Sequence, residues 1–186
     1  GRSRFIEKLF NFEDILYTDA LTGIYNRRYY EDKIKMSRDT LGVAVMDIDD
    51  FKLYNDQFGH NVGDLVLKTV AREIKNCLGK NERIIRFGGD EFVLCVSDPK
   101  MIENLEVLSM DIIDDLYSGY YSKSVDATLN IKASIGIAVS PEHGQDGRTL
   151  IACADTAMYF VKKNGKANYH IYDPTDEETT MGAHTL

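Results

Sequence analysis

Residues 41–48 read Leu-Gly-Val-Ala-Val-Met-Asp-Ile. The run is apolar almost throughout and rich in valine, with none of the alternation of a strand that has one wet face. Such a segment suits a central strand covered on both sides. It ends in acid: Asp47, Asp49 and Asp50. A strand period of two puts Asp47 and Asp49 on one face and Asp50 on the other. Carboxylates this close repel unless something positive sits among them. Taken alone the cluster fits a divalent cation, a solvated acidic turn, or an Asp49 or Asp50 cap on a helix starting at Phe51.

The other elements place that strand in a sheet. Arg83 to Phe87 and Glu91 to Val96 read as two strands joined by Gly88-Gly89, a two-residue hairpin signal. Ala127 to Ser140 alternates through Leu129, Ile131, Ala133, Ile135, Ile137 and Val139 as one long strand, and Tyr169 to Tyr172 is a short closing one. Helical spacing marks Asn26 to Arg38, Phe51 to Phe58, Val62 to Leu78 after a break at Gly59-His60-Asn61, Met101 to Tyr117, and Thr149 to Lys163 ending at Asn164-Gly165. Helices alternate with strands, but the tight hairpin favours α+β with a central, mainly antiparallel sheet flanked by helices over a doubly wound fold.

The length of 186 residues suits one domain. Phe5, Ile6, Leu9, Phe10, Phe12, Leu16 and Tyr17 carry helical spacing and run into a turn at Asp19-Ala20-Leu21-Thr22-Gly23. Residues 1–18 therefore suit a connector from an upstream regulatory module absent from this chain, or equally a helix that packs on the domain. The domain proper spans 19–173, and 174–186 is a polar tail prone to fray.

A net charge of -8 argues against wrapping duplex nucleic acid, which needs a basic face. A nucleotide remains compatible, since Mg²⁺ neutralises both carboxylates and phosphates. No apolar run approaches the roughly 20 residues that cross a bilayer, and residues 1–10 lack the pattern of a signal peptide. Cys77, Cys95 and Cys153 lie far apart in apolar settings, which suits core thiols of a reducing, cytoplasmic compartment rather than a zinc site.

A second acidic strand end follows the hairpin in Arg86-Phe87-Gly88-Gly89-Asp90-Glu91-Phe92. Gly88 and Gly89 permit positive φ and leave the backbone open to a ligand. Solvated acids on a plain hairpin are the usual fate of such a turn. Two acidic strand ends beside Lys52 and Arg86 instead suit metal-assisted phosphoryl chemistry, with carboxylates holding Mg²⁺ and cations offsetting phosphate charge.

Gly88-Gly89-Asp90-Glu91-Phe92 matches the signature of the GGDEF family of diguanylate cyclases letter for letter. In the family's order stand Asp19-Ala20-Leu21-Thr22-Gly23 with Asn26-Arg27-Arg28, Asp47-Ile48-Asp49-Asp50-Phe51-Lys52, Asn55-Asp56-Gln57-Phe58-Gly59-His60 with Gly63-Asp64, and Ala154-Asp155 through Gly165. The resemblance covers about Asp19 to Asp173. It implies a palm-like fold as in nucleotidyl cyclases and condensation of two GTP into cyclic di-GMP with release of pyrophosphate. It further implies that Asp47, Asp90 and the Ile48 carbonyl hold Mg²⁺ or Mn²⁺, and that Asp90 accepts the proton of the attacking 3′-hydroxyl. Glu91 would be an accessory acid and Lys52 would stabilise the phosphates. Asn55 and Asp64 would read the guanine with His60 close by, and Lys162 and Lys166 would hold the terminal phosphates.

The residues agree with this in part. A carboxylate at Asp64 suits guanine N1–H and N2–H₂, although an acid in a helix's first turn is equally explained by the dipole. Asn55, His60, Lys162 and Lys163 alone are ordinary surface residues. The chain departs from the family at Ala20, usually proline, and at Lys166, usually arginine, which keeps charge but loses the bidentate fork. The usual Arg-x-x-Asp inhibitory site reads Gly79-Lys80-Asn81-Glu82, which implies that this form of product feedback is absent.

One GTP per protomer implies catalysis by a homodimer with two sites facing each other. The domain itself is expected to make no membrane contact, while an upstream region absent from this chain could anchor the full-length protein. Two other readings share the residues: a module that holds GTP without turnover, and a different purine cyclase or polymerase-like palm domain.

Overall fold

The structure, a computed structural model, describes residues 1–40 and 42–176, with all their side chains except that of Phe10. The expectations placed on Leu41 and on 177–186 lie outside these residues.

Strand β1 (Gly42–Ile48) is the middle of a five-stranded sheet. It runs antiparallel to β3 (Glu91–Val96) on one side and β6 (Ala133–Val139) on the other. Beyond β3 lies β2 (Arg83–Gly88), also antiparallel, and beyond β6 lies β7 (Tyr169–Ile171), the one parallel neighbour. The α+β architecture with a mainly antiparallel sheet is as the sequence implies.

Alternation along β1 divides the core into two layers. Ala44, Met46 and Ile48 meet Val66, Val70 and Ile74 of α4 (His60–Asn76) and Ile112 and Leu116 of α6 (Leu105–Ser118). Val43 and Val45 meet Leu150, Ala154 and Met158 of α7 (Gly147–Lys163). Both faces being covered explains the unbroken apolar run, each buried aliphatic side chain contributing about 1.5–3 kcal/mol. Helix α7 lies so close to β6 that a Cβ on Gly136 would overlap the Ala154 carbonyl and the Met158 amide.

Several expectations are corrected. The long strand 127–140 is two. β5 (Ala127–Leu129) pairs with β4 (Tyr120–Ser122) in a separate two-stranded sheet, and β6 starts at Ala133. Asn130 Nδ2 donates to the Tyr117 carbonyl and the Ile131 amide to that of Leu116, which draws the chain out of the ladder. The alternation runs on regardless, because Leu129, Ile131 and Ala133 enter the same core.

The helix at Asn26–Arg38 is instead one turn, α2 (Arg27–Tyr29), continued by a wider π turn at Tyr30–Ile34 that buries both Tyr30 and Ile34. The helix at Met101–Tyr117 is broken at Asn104 into α5 (Pro99–Glu103) and α6. The break before Val62 shrinks to Gly59, whose φ of 89° separates α3 (Phe51–Phe58) from α4. Cys95 is buried and Cys153 half-buried, but Cys77 caps α4 beyond its last buried residue and is exposed, so it is not a core thiol.

Helix α1 (Arg2–Tyr17) touches the domain only near its end. The Tyr17 ring meets Tyr29 edge-on at 5.6 Å and its hydroxyl donates to Asp32, while Asn26 Nδ2 donates to the Leu16 carbonyl. Phe5, Leu9, Phe12 and Ile15 stay exposed. Among the described residues no helix is long and apolar enough to cross a membrane.

Candidate active site

Asp47 continues the Val43–Val45 face of β1 toward α7, just where the sheet's apolar cover ends. Its cross-strand partners are Glu91 on β3 and Ser134 on β6. Directly paired residues share a face, so Asp47 and Glu91 stand side by side. Lys162, one turn beyond Met158 on α7, donates its ammonium to Asp47 Oδ2. Asp47 Oδ1 is buried and has no hydrogen-bond partner. Burial, and then the neighbouring Asp90 carboxyl, push Asp47 up to about 7 against the pull of Lys162. The Ile48 amide donates to the Asp90 carbonyl at 3.3 Å, tying the two acidic strand ends together.

The other acids of the cluster are divided by their partners. Asp49 is buried, with Oδ1 accepting from Ser134 Oγ at 2.6 Å and Oδ2 from the Ala167 amide at 2.9 Å. It fixes the loop after α7 to the end of β1. Asp50 is exposed at a left-handed φ of 55° and accepts from Lys166 Nζ at 2.8 Å. Neither side chain caps α3.

The hairpin differs from its expected form. Gly88 is the last residue of β2 and pairs with Glu91, after a register shift between Arg86 and Gly88, so the loop is Gly89-Asp90. Neither glycine has positive φ, and a Cβ on either would meet nothing within 4 Å. What the pair supplies is uncovered backbone. Arg86, expected beside the phosphates, is engaged elsewhere. Its Nη1 reaches the Asp19 carboxylate at 3.2 Å, and Nε and Nη2 donate to the Gly89 carbonyl at 3.1 and 2.9 Å. Asp19 is itself held by the Thr22 amide and hydroxyl at 3.0 and 2.7 Å. Asp19 and Asp49 are the residues whose structural roles sequence reasoning missed; the Asp-x-x-Thr spacing, which lets the carboxylate take the amide and hydroxyl three residues on, was the available signal for the first.

The remaining candidates lie on α3 and α4. Lys52 sits exposed in the first turn of α3. Asn55 is half-buried, its Oδ1 lying where a Cβ on Gly63 would be. His60 and Asp64, four residues apart on α4, share an exposed face next to that contact. The Gly79–Glu82 segment is separate: its Gly79, Lys80 and Glu82 line a cavity of about 420 Å³ with Asp14, Thr18 and Arg83.

A divalent cation fits the acidic end of β1. The orphaned Asp47 Oδ1 calls for a positive partner, Asp90 supplies a second carboxylate, and Mg²⁺ typically takes one or two carboxylates and completes its shell with water and substrate phosphate. Among the described residues no three His, Cys, Asp or Glu side chains gather into an all-protein cage.

The family described as "Diguanylate cyclase, GGDEF domain" matches residues 16–168. The cyclic di-GMP phosphodiesterase PdeR of Escherichia coli K12 is 35% identical over 84% of this chain, and the match spans 24% of PdeR. The diguanylate cyclase TpbB of Pseudomonas aeruginosa is 30% identical over 85% of this chain and 38% of its own length. This chain thus spans well under half of these relatives. The solved GGDEF domain of TpbB superposes with a TM-score of 0.81 at 28% identity, covering 87% of this chain and 98% of that one. The coiled coil and GGDEF domain of DgcB from Caulobacter crescentus, in complex with c-di-GMP, gives 0.79 at 26%, covering 91% and 92%. With the signature turn, the two acidic strand ends and the match over 16–168 agreeing, the chain belongs to the GGDEF family of diguanylate cyclase domains.

Proposed function

We propose that this chain is a diguanylate cyclase domain that joins two GTP molecules into cyclic di-GMP and releases pyrophosphate. The observation that carries the reading is the Asp47 carboxylate, delivered by a buried strand to the edge of the core with Oδ1 unpartnered, beside Asp90 and Lys162. Asp47, Asp90 and the Ile48 carbonyl would hold Mg²⁺ or Mn²⁺. Such an ion, when bound, polarises the α-phosphate and offsets its charge.

The chain's own residues do the rest. Asp90 takes the proton of the 3′-hydroxyl, with Glu91 as an accessory acid beside Asp47. Lys52, Lys162 and Lys166 hold the phosphates and stabilise the charge that builds as pyrophosphate leaves. Asp64 accepts from guanine N1–H and N2–H₂, Asn55 adds a second contact, and His60 lies on the same face as Asp64. The open backbone at Gly88 and Gly89 lets the nucleotide approach, and Arg86 acts on it indirectly, by fixing the Gly89-Asp90 loop.

Each domain carries one such site, so ring closure takes two domains facing each other, and positioning supplies much of the rate. Helix α1 supports a homodimer. Exposed Phe5, Leu9 and Phe12, with half-buried Leu16, form a stripe with four- and three-residue spacing on a different face from Tyr17, which docks on the domain. The reading also places the domain in water, under an upstream regulatory module.

The test is incubation with GTP and Mg²⁺, products being separated by chromatography and mass, with Asp90→Ala as the blank. Cyclic di-GMP from the wild type alone supports the reading. GTP bound but intact, even in a forced dimer, sinks it and leaves a GTP-holding module.

A further inference from the structure

Two of the three lysines assigned to the phosphates are seated on carboxylates at the end of β1. Lys162 holds Asp47, and Lys166 holds Asp50. The two pairs differ in kind. The Lys166–Asp50 pair is open to water, with side chains 42% and 50% exposed, and such pairs contribute little. The Lys162–Asp47 pair is half-buried, at 24% and 20%, and its carboxylate is the one with an unpartnered buried oxygen.

We propose that Lys162 is a tethered counter-cation of the metal site: a divalent ion displaces its ammonium from Asp47 onto the nucleotide's phosphates, so that metal and nucleotide bind cooperatively. The proposal rests on the reading of Asp47 as a metal ligand and adds the regulation of that site. The ammonium satisfies one oxygen of Asp47 and leaves the other orphaned, so the pair is an incomplete solution that a doubly charged ion improves. An ion on Oδ1 and the ammonium on Oδ2 repel across the one carboxylate, so the bound ion loosens the ammonium's hold and favours its transfer to the phosphates. Lysine suits the exchange. Its stem leaves α7 one turn beyond Met158, whose backbone is pinned against Gly136, so the ammonium can swing while the helix that carries it stays fixed. A phosphate close to the ion gives the displaced ammonium its new partner, which makes metal and nucleotide mutual effectors with one reciprocal coupling factor.

The test is Mn²⁺ binding followed by electron paramagnetic resonance, with and without a GTP analogue whose α,β-bridge is methylene, on wild type, Lys162→Met and Lys162→Gln. Thermal melts check that each variant is folded. Without nucleotide, both variants should bind Mn²⁺ several-fold more tightly than wild type, because the competitor is gone. The factor by which the analogue tightens Mn²⁺ should fall by about tenfold in the variants, within the usual range of coupling between sites. A lysine that merely supports the fold predicts weaker Mn²⁺ binding in both variants, and that result overturns the proposal. So does an unchanged coupling factor. If the wild type binds Mn²⁺ and analogue while the variants behave as wild type, the proposal falls and the cyclase reading stands. If the wild type binds neither, both fall together.

Discussion

Arg86 reaches across 67 residues of chain to the Asp19 carboxylate while two of its other nitrogens hold the Gly89 carbonyl. The turn that follows α1 is thereby fastened to the loop that presents Asp90. Arg86→Ala should destabilise the domain by about 2 kcal/mol, the loss expected when charge-assisted hydrogen bonds in a part-buried setting are removed. Asp90 loses its fixed loop in the same variant, so cyclic di-GMP formation should fall more than the unfolded fraction explains. Denaturant melts alongside product assays separate the two effects.

The same pair predicts a pH dependence. Burial alone would raise the Asp19 carboxyl, but hydrogen bonds from the Thr22 hydroxyl and amide, and then the Arg86 guanidinium, hold it below the usual carboxylate range. A depressed folded value means the stabilisation is complete above the unfolded value, near 4. It is lost as pH falls through the lower, folded one. Asp19→Asn should therefore be less stable than wild type at pH 7 and approach it below pH 4. Equal spacing of the two melting curves from pH 7 to pH 3 would remove Asp19 from this role.

What was legible in the sequence follows from how locally each feature is encoded. The run before Asp47 revealed its burial on both faces, because any wet face would have shown as alternation. The signature turn revealed its position, although its glycines turned out to serve open backbone rather than positive φ. Residues 127–140 misled because alternation reports which side is buried, not which strand is hydrogen-bonded, and Leu129 and Ala133 share a core across a break. Arg86 looked like a phosphate ligand because its partner lies 67 residues away in sequence. Lys162 and Asp47 are further apart still, and only the close crossing of α7 over Gly136 brings them together.

That crossing gives a paired prediction. On Gly136 a Cβ would overlap backbone atoms of Ala154 and Met158, which cannot move without lifting α7. On Gly42 the nearest atoms are side-chain carbons of Leu105 and Ile102 at 3.4 and 3.5 Å, an ordinary contact. Gly136→Ala should cost about 1–3 kcal/mol as overpacking, and it should also weaken nucleotide binding by displacing Lys162. Gly42→Ala should leave nucleotide binding unchanged and stability nearly so. Similar losses in both would mean that α7 tolerates a shift.

The thiols give a probe of folding that needs no substrate. Burial pushes Cys95 up to about 12, so it holds almost no thiolate at pH 8 and no reagent reaches it. Cys77 is exposed, although desolvation and nearby carboxylates raise it as well. Ellman's reagent should modify Cys77 within the native protein and Cys95 only on unfolding. Early modification of Cys95 would mean that the sheet opens beside α7.

The stripe on α1 predicts how two copies meet. With Phe5, Leu9, Phe12 and Leu16 on the seam of a parallel pair, Lys8 and Glu13 fall on its two flanks, five residues apart, where the lysine of one copy faces the glutamate of the other. An antiparallel pair would not align them in this way. Leu9→Asp should abolish dimerisation in sedimentation equilibrium and, with it, product formation, while leaving the melting of the catalytic domain intact, because α1 touches that domain only through its last turn. The charges then fix the orientation. Lys8→Glu should weaken the dimer several-fold, as expected for two exposed pairs of about 0.5 kcal/mol each turned to repulsion. Adding Glu13→Lys should restore it, since the swapped charges meet again across the seam. Failure of the double variant to recover would exclude the parallel register, and a dimer indifferent to Leu9→Asp would place the contact elsewhere on the domain.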